Sequence, residues 1–312
     1  MNTERRAGVS SESVALPTRI GWHGLRLDAP ADWYLKGYSG DWQEGFLQVG
    51  SPHSMELDLK WSRTRRKTDL AYVLQQFLTK LERAKRKARQ PFHSTLHPVD
   101  ADCIEFRWRS DERAVGRIQR YPEHHTIVLM QLRSAAKHDA LFQQARPIFE
   151  SLRVAPDPEG WVEWSLYGLH SAAPADFRLE KAHAVTGQTR LVLARRHERL
   201  ILERVARAEQ LIKGYEFAEW VDHWLRWRVW RGAREPFTWG ENDYGVHLTT
   251  RLGLGALATE CVVSLCRLRL PAWRVRAVAW LCKPRNTVFH IQHHSPFRSN
   301  LLEEVMARTV CC

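Results

Sequence analysis

The chain has 312 residues, 44% of them apolar and 14 of them Trp, with 47 Lys and Arg against 35 Asp and Glu for a formal charge of +12. This length and aromatic content exclude a disordered chain and leave room for two domains. No run of eighteen uncharged apolar residues occurs, which excludes a hydrophobic spanning helix, and the positive balance favours acidic partners such as nucleic acid, anionic lipid or an acidic protein.

Residues 1–19 contain Arg but no apolar stretch, so they read as a flexible segment and not as a secretory signal. The six cysteines, at 103, 261, 266, 282, 311 and 312, form no C-x-x-C motif and lie mostly in the second half. That is a poor disulfide framework and points to a reducing cytoplasm. From Gly24 the chain reads "GLRLDAPADW", followed by an apolar strand, "MELDLKW". Asp69 then opens a helix whose apolar residues Leu70, Val73, Leu74, Phe77, Leu78 and Leu81 follow a 3.6-residue period. Three strand-like segments are expected next, among them "DCIEFRW" and "YPEHHTIVLMQ", and a short apolar helix, "IFESLRV", closes the unit.

The same order recurs at an offset of 144 residues. "GLHSAAPADF" from Gly168 repeats the opening phrase, and "RLILERV" repeats the strand. Glu216 opens a helix carrying Phe217, Trp220, Val221, Trp224 and Leu225, and "ECVVSLC", "KPRNTVFHIQ" and "EVMARTV" follow. Both helices begin with a carboxylate, as the positive end of the helix dipole favours. Cys103 and Cys261 take equivalent places, and both are expected to be buried. The predicted organisation is a copy at 20–154, a Pro- and Gly-containing linker at 155–162, a second copy at 163–310 and a Cys-Cys tail at 311–312. The fold class is α+β, with two tandem copies of a mostly antiparallel sheet flanked by helices.

The element order, the x-Pro-Ala-Asp-Trp opening and the closing Phe-x-Ser-Leu-Arg-Val resemble the PsbP-like family. That family is named for an extrinsic photosystem subunit and includes a nuclear-import factor and bacterial domains of unknown role. The resemblance covers nearly the whole chain, twice, though "VMARTV" replaces "FESLRV" at the second end. It implies a sheet flanked by helices and a binding or assembly role without catalysis, and it carries over no catalytic residue.

Catalytic signals are weak. Gly253-x-Gly255-x-x-Ala258 matches a dinucleotide fingerprint superficially, but a strand is expected after it and no acid occurs between Cys261 and Leu302. There is no P-loop, H-E-x-x-H or G-x-S-x-G, and no cofactor is implied. Nor do His290 and His294 suggest a metal site, because strand rise sets them about 13 Å apart.

Basic residues offer three anion-binding candidates. Arg63, Arg65, Arg66 and Lys67 precede the first long helix, where the dipole welcomes an anion. Lys80, Arg83, Lys85, Arg86, Lys87 and Arg89 end that helix and complement its negative end. The third lies in "CRLRLPAWRVR", read as a hairpin that sets Arg269 opposite Arg274 and Arg267 opposite Arg276. Trp280 and His290 are expected on that same face, which would suit phosphate contacts and base stacking. The alternative is that acids from a flanking helix or the other copy cover the face. Cys311 and Cys312 could bind soft metals or respond to oxidation, or form an inert frayed end.

The expected function is therefore a non-enzymatic tandem-repeat protein that binds or scaffolds another macromolecule, most simply another protein. The alternatives are an anion or nucleic-acid binder using the second copy's Arg face, and a metal- or redox-responsive protein acting through its tail.

Overall fold

The computed structural model describes residues 18–51, 55–65, 68–135, 141–154, 156, 159–185, 187–225, 233–239, 243–251, 258, 261–262, 265–266 and 274–310. The first half begins with strands β1 (Thr18–Trp22), β2 (Leu25–Ala29), β3 (Tyr34–Gly40), β4 (Glu44–Gly50) and β5 (Glu56–Arg63). Helix α1 (Leu70–Lys87) follows, then β6 (His93–Asp100), β7 (Cys103–Arg109), β8 (Glu112–Tyr121) and β9 (Thr126–Ala135). Helix α2 (Leu141–Ser151) and the two-residue β10 (Arg153–Val154) end this half.

The second half has β11 (Trp161–Leu166), β12 (Leu169–Pro174), β13 (Arg178–Val185), β14 (Gln188–Arg195) and β15 (Glu198–Ala206). Then come α3 (Ala208–Ile212), α4 (Phe217–Leu225), β16 (Ala233–Trp239), β17 (Asp243–Arg251), β18 (Arg274–Cys282), β19 (Thr287–Ser295) and α5 (Leu301–Ala307). No helix of the described residues is long and apolar enough to cross a membrane.

These strands build three antiparallel sheets. Two have seven strands, ordered β3-β4-β5-β9-β8-β7-β6 and β13-β14-β15-β19-β18-β17-β16. The strand orders correspond one for one. The third sheet, β10-β2-β1-β11-β12, takes strands from both halves and joins them through β1 and β11. At that join Gly21 faces Ser165, the residue 144 positions later. The Tyr38 hydroxyl donates to the carbonyl of Ala182 at 3.1 Å, again 144 positions later.

Alternation explains the packing. In β5, Leu57, Leu59 and Trp61 are buried while Glu56, Asp58 and Lys60 face outward, the period of two that a strand imposes. One apolar core holds the inner faces of all three sheets together. It includes Trp22, Leu27, Leu59 and Met130 from the first half and Trp164, Leu202, Trp280 and Phe289 from the second. Helix α1 covers the outer face of one seven-stranded sheet, burying Leu70, Leu74 and Leu78. Asp69 caps it, accepting from the backbone N–H groups of Ala71 and Tyr72 at 2.8 and 3.3 Å. Helix α4 covers the other sheet with Trp220 and Val221.

The molecule is thus sheet-rich with few helices, and "flanked by helices" describes it loosely. Two expectations need correction. Cys261, Val262, Leu265 and Cys266 have helical backbone and are exposed, so "ECVVSLC" is not a strand and Cys261 is not the buried counterpart of Cys103. The strand beside β18 is β17, whose "DYGVHLTTR" carries a weaker apolar pattern. Trp161 and Val162, assigned to the linker, open β11.

The hairpin turns repeat as well. His23-Gly24 has φ of 50° and 78°, and Tyr167-Gly168 has 49° and 76°. Two consecutive positive φ values are what a two-residue hairpin turn needs to match the twist of its strands. Gly21 is constrained differently. A Cβ there would lie 2.8 Å from the carbonyl oxygen of Glu163 and 3.0 Å from the amide nitrogen of Ser165. Gly21→Ala should therefore wedge β1 from β11 and cost about 2 kcal/mol, read as a fall of several degrees in Tm. An unchanged Tm would show that the strands can separate freely.

Candidate anion-binding groove

Of the Arg face expected from sequence, the structure describes Arg274, Arg276, Trp280 and His290. Arg267 and Arg269 lie outside the described residues. On β18, Arg274 stands between Arg251 of β17 and Ser295 of β19, and Arg276 between Thr249 and His293. A flanking helix supplies the counter-charge: Glu303 of α5 takes two guanidinium nitrogens of Arg276, one at 3.1 Å, and the Ser299 carbonyl accepts at 2.9 Å. Trp280 and His290 point to opposite faces, because their direct partners across β18 and β19 are Phe289 and Ala279. Trp280 stacks on Phe289 inside the shared core, with ring centroids 5.4 Å apart. His290 lies 3.3 Å from the Glu203 carboxylate on the α4 side. Both side chains are fully buried, so neither offers a platform for a base.

Of the basic run before α1, Arg63 is committed within the fold while Arg65 is exposed. Arg63 donates to the backbone carbonyls of His23, at 2.7 Å, and Trp42, and lies 3.8 Å from the centre of the Trp42 ring. Arg178 from the second half sits near that ring too, at 4.3 Å. Burial first, and the nearby Arg178 charge second, lower the Arg63 pKa to about 10. Arg65 is described; Arg66 and Lys67 lie outside the described residues, as do Cys311 and Cys312.

A different basic site forms where the halves meet. In the five-stranded sheet, Ile20, Trp22, Leu25, Leu27, Val162 and Trp164 face the core. The alternate residues Arg19, Arg26, Asp28, Glu163 and His170 line a groove of about 750 Å³ on the other face. Arg153 of β10, Arg285 of the β18–β19 turn and Arg308 after α5 extend its wall. The closing segments of both halves frame it. Val154 pairs with Leu25 on β2, and the Val310 N–H donates to the His170 carbonyl on β12 at 2.9 Å.

Five arginines thus meet two carboxylates, Asp28 and Glu163. Arg19 Nε lies 3.3 Å from Asp28 and 3.9 Å from Glu163, and an Arg26 terminal nitrogen lies 3.7 Å from Glu163. The last two distances exceed ordinary hydrogen bonds, and Arg26 Nε is buried without a hydrogen-bond partner. Arg153 donates to the carbonyls of Glu150 and Leu152, at 2.7 and 2.9 Å. Arg308 pairs with Glu159 at 2.6 Å and covers the ring of Trp161 at 4.1 Å. Among the described residues no carboxylate lies within ion-pair distance of Arg285.

Burial dominates the titrating groups of the groove, with the arginines acting second. Burial, then Arg285, Arg19 and Arg204, depress the His170 pKa to about 4, which keeps the imidazole neutral. Its Nδ1 shares a short hydrogen bond with the buried Ser165 hydroxyl. Burial raises the Glu163 pKa despite the pull of Arg19 and Arg26. No group of three His, Cys, Asp or Glu among the described residues is placed to hold a metal ion.

Sequence reading missed this site because its cations come from four separate stretches. A partial signal existed: in "LRLDA" the charges alternate with leucines, so Arg26 and Asp28 share a face. Nothing local in the sequence shows that Arg285 and Arg308 arrive beside them.

No family model matches the chain, and no curated protein matches it. Among solved structures it is similar to the solution structure of cyanobacterial PsbP (CyanoP) from Synechocystis sp. PCC 6803, at 13% identity and a TM-score of 0.35, over 48% of this chain and 98% of that one.

Proposed function

We propose that this is a non-enzymatic binding protein that takes an anionic ligand in the groove between its halves, and that those halves are copies of one PsbP-like unit. The observation carrying the ligand assignment is the meeting of five arginines with two carboxylates around one cavity. Charge-assisted hydrogen bonds to an oxyanion would relieve that imbalance, and the guanidinium fork suits phosphate or carboxylate geometry. The groove is favoured over the Arg274–Arg276 face because Arg276 is held by Glu303. Support for the copies comes from the corresponding strand orders, the matching turns and the contacts at an offset of 144.

Arg26→Gln with Arg285→Gln tests the ligand reading. At low ionic strength the pair should weaken phosphate binding, measured by calorimetric titration, at least about tenfold. Tm should stay near that of the parent, since neither side chain completes a close ion pair. A large fall in Tm with unchanged phosphate binding would mean that these arginines serve the fold and not a ligand.

A further inference from the structure

The groove's geometry limits what kind of anion it can take. Its ring-bearing lining residues among the described residues are Trp161, which is 9% exposed and lies under the Arg308 guanidinium, and His170, which is half-buried and tied through Nδ1 to the Ser165 hydroxyl. Neither ring is an open platform for a nucleobase, whose recognition relies on stacking. A cavity of about 750 Å³ is the size of a small-molecule site and not of a track for a polymer. The cations are also spread out. Arg153 stands on β10 at one end, Arg19 and Arg26 lie mid-sheet on β1 and β2, Arg308 covers Trp161 at the start of β11, and Arg285 acts on His170 of β12 at the other end. Four strand spacings separate β10 from β12, roughly 19 Å of backbone, so a single oxyanion cannot meet both ends.

Between these ends stands Glu163. It is half-buried and reaches toward Arg19 and Arg26 without closing on either. It lies in the middle of the arginine array, where an incoming oxyanion would have to sit.

We infer that the ligand is a small, non-aromatic molecule bearing two or more phosphate groups, and that Glu163 competes with it for Arg19 and Arg26. This rests on the reading of the groove as an anion site. Several phosphates, linked as a short chain or carried on one compact scaffold, would engage the separated arginines together. The second phosphate then binds at a high effective concentration. Glu163 sets a threshold, since only a ligand of high charge density displaces it from both guanidinium groups.

The test is calorimetric titration of the full chain at low ionic strength with inorganic tripolyphosphate, orthophosphate, citrate, adenosine triphosphate and a short single-stranded oligonucleotide. Tripolyphosphate is expected to bind at least about tenfold more tightly than orthophosphate or citrate, with the adenosine group adding nothing. Glu163→Gln should tighten tripolyphosphate binding about fivefold without lowering Tm, because a carboxyl whose burial opposes its charge is removed. Equal binding of orthophosphate and tripolyphosphate would overturn the multi-phosphate inference and leave the anion groove standing. An oligonucleotide that outcompetes all the others would overturn it in favour of nucleic acid. Weaker or unchanged tripolyphosphate binding by Glu163→Gln would remove the competitor role. Binding of none of the five would end both this inference and the groove reading.

Discussion

Expressed without the rest of the chain, residues 1–154 are expected to be aggregated or molten, and residues 155–312 likewise. The reason is the shared core. Cutting the chain there strips β11 from β1 and uncovers the inner faces of both seven-stranded sheets. Trp22 would lose its edge contact with Trp164, where the ring centroids are 5.8 Å apart. Leu35 would lose the Tyr167 hydroxyl, which accepts from its N–H at 3.0 Å and donates to its carbonyl at 3.2 Å. Burying one Trp is worth roughly 5 kcal/mol, a large fraction of the typical 5–15 kcal/mol of net stability. Coexpression of the two halves should restore a soluble one-to-one complex that melts cooperatively. One further outcome bears on the copies. Because Gly21 faces Ser165, which the proposed duplication makes its counterpart, the first half could pair β1 with the β1 of a second molecule. A symmetric homodimer of residues 1–154 would keep the shared-core account and support the copy proposal. A monomeric half with a sharp melt would refute the account.

The parts of the fold legible in the sequence are those where one element fixes its own pattern. Helix α1 was readable because Asp69 caps it and its leucines follow a helical period. The alternation in "ELDLKWSR" and the continuous apolar run in "TIVLMQLRSA" likewise announced β5 and β9. What failed was longer in range. Strand β17, with "GVHLTT", buries Val246 and Leu248 beneath α4, but its polar alternates and its distance from β18 hid the pairing. The placing of Trp280 and His290 on one face failed for a related reason. Parity along a strand is local, yet the turn that sets the register between β18 and β19 decides which residues share a face. With Asn286 at a φ of 48° and Cys282 paired with Thr287, Trp280 comes opposite Phe289 and not beside His290. The groove was invisible because it is a property of the join.

Acid should unfold this protein between about pH 5 and pH 4, where its ordinary carboxylates are only beginning to be neutralised. Three histidines are held neutral in the fold. Burial, followed by the positive charge of Arg63 and Arg178, lowers the His23 pKa to about 4, with Asp41 opposing. Burial, then Arg199 and its histidine neighbours, lowers that of His294 to about 3. His170, at the groove wall, falls to about 4. In the unfolded chain each returns to about 6.5, so below that pH the unfolded state binds more protons and stability declines as pH falls. At pH 4, His23 and His294 each account for a loss of roughly 3 kcal/mol, and His170 for less because water reaches it. Glu198 extends the decline. Burial alone would raise its pKa, but hydrogen bonds from His293 and Arg195 hold it at about 2, so its contribution is present above about 4.5 and fades below. Glu163, raised by burial, works in the opposite direction. The summed loss approaches the whole stability of an ordinary domain. Chemical denaturation at pH 7 and at pH 4.5 gives the difference directly. His23→Asn removes one titrating imidazole while keeping a residue that tolerates the positive φ of 50° at that turn. It should lower stability at pH 7, through lost contacts with Trp22, Trp61 and Trp164, while shrinking the gap between the two pH values by roughly 2 kcal/mol. A parent protein whose denaturation midpoint stays level from pH 7 to pH 4 would mean that these histidines are already charged in the fold.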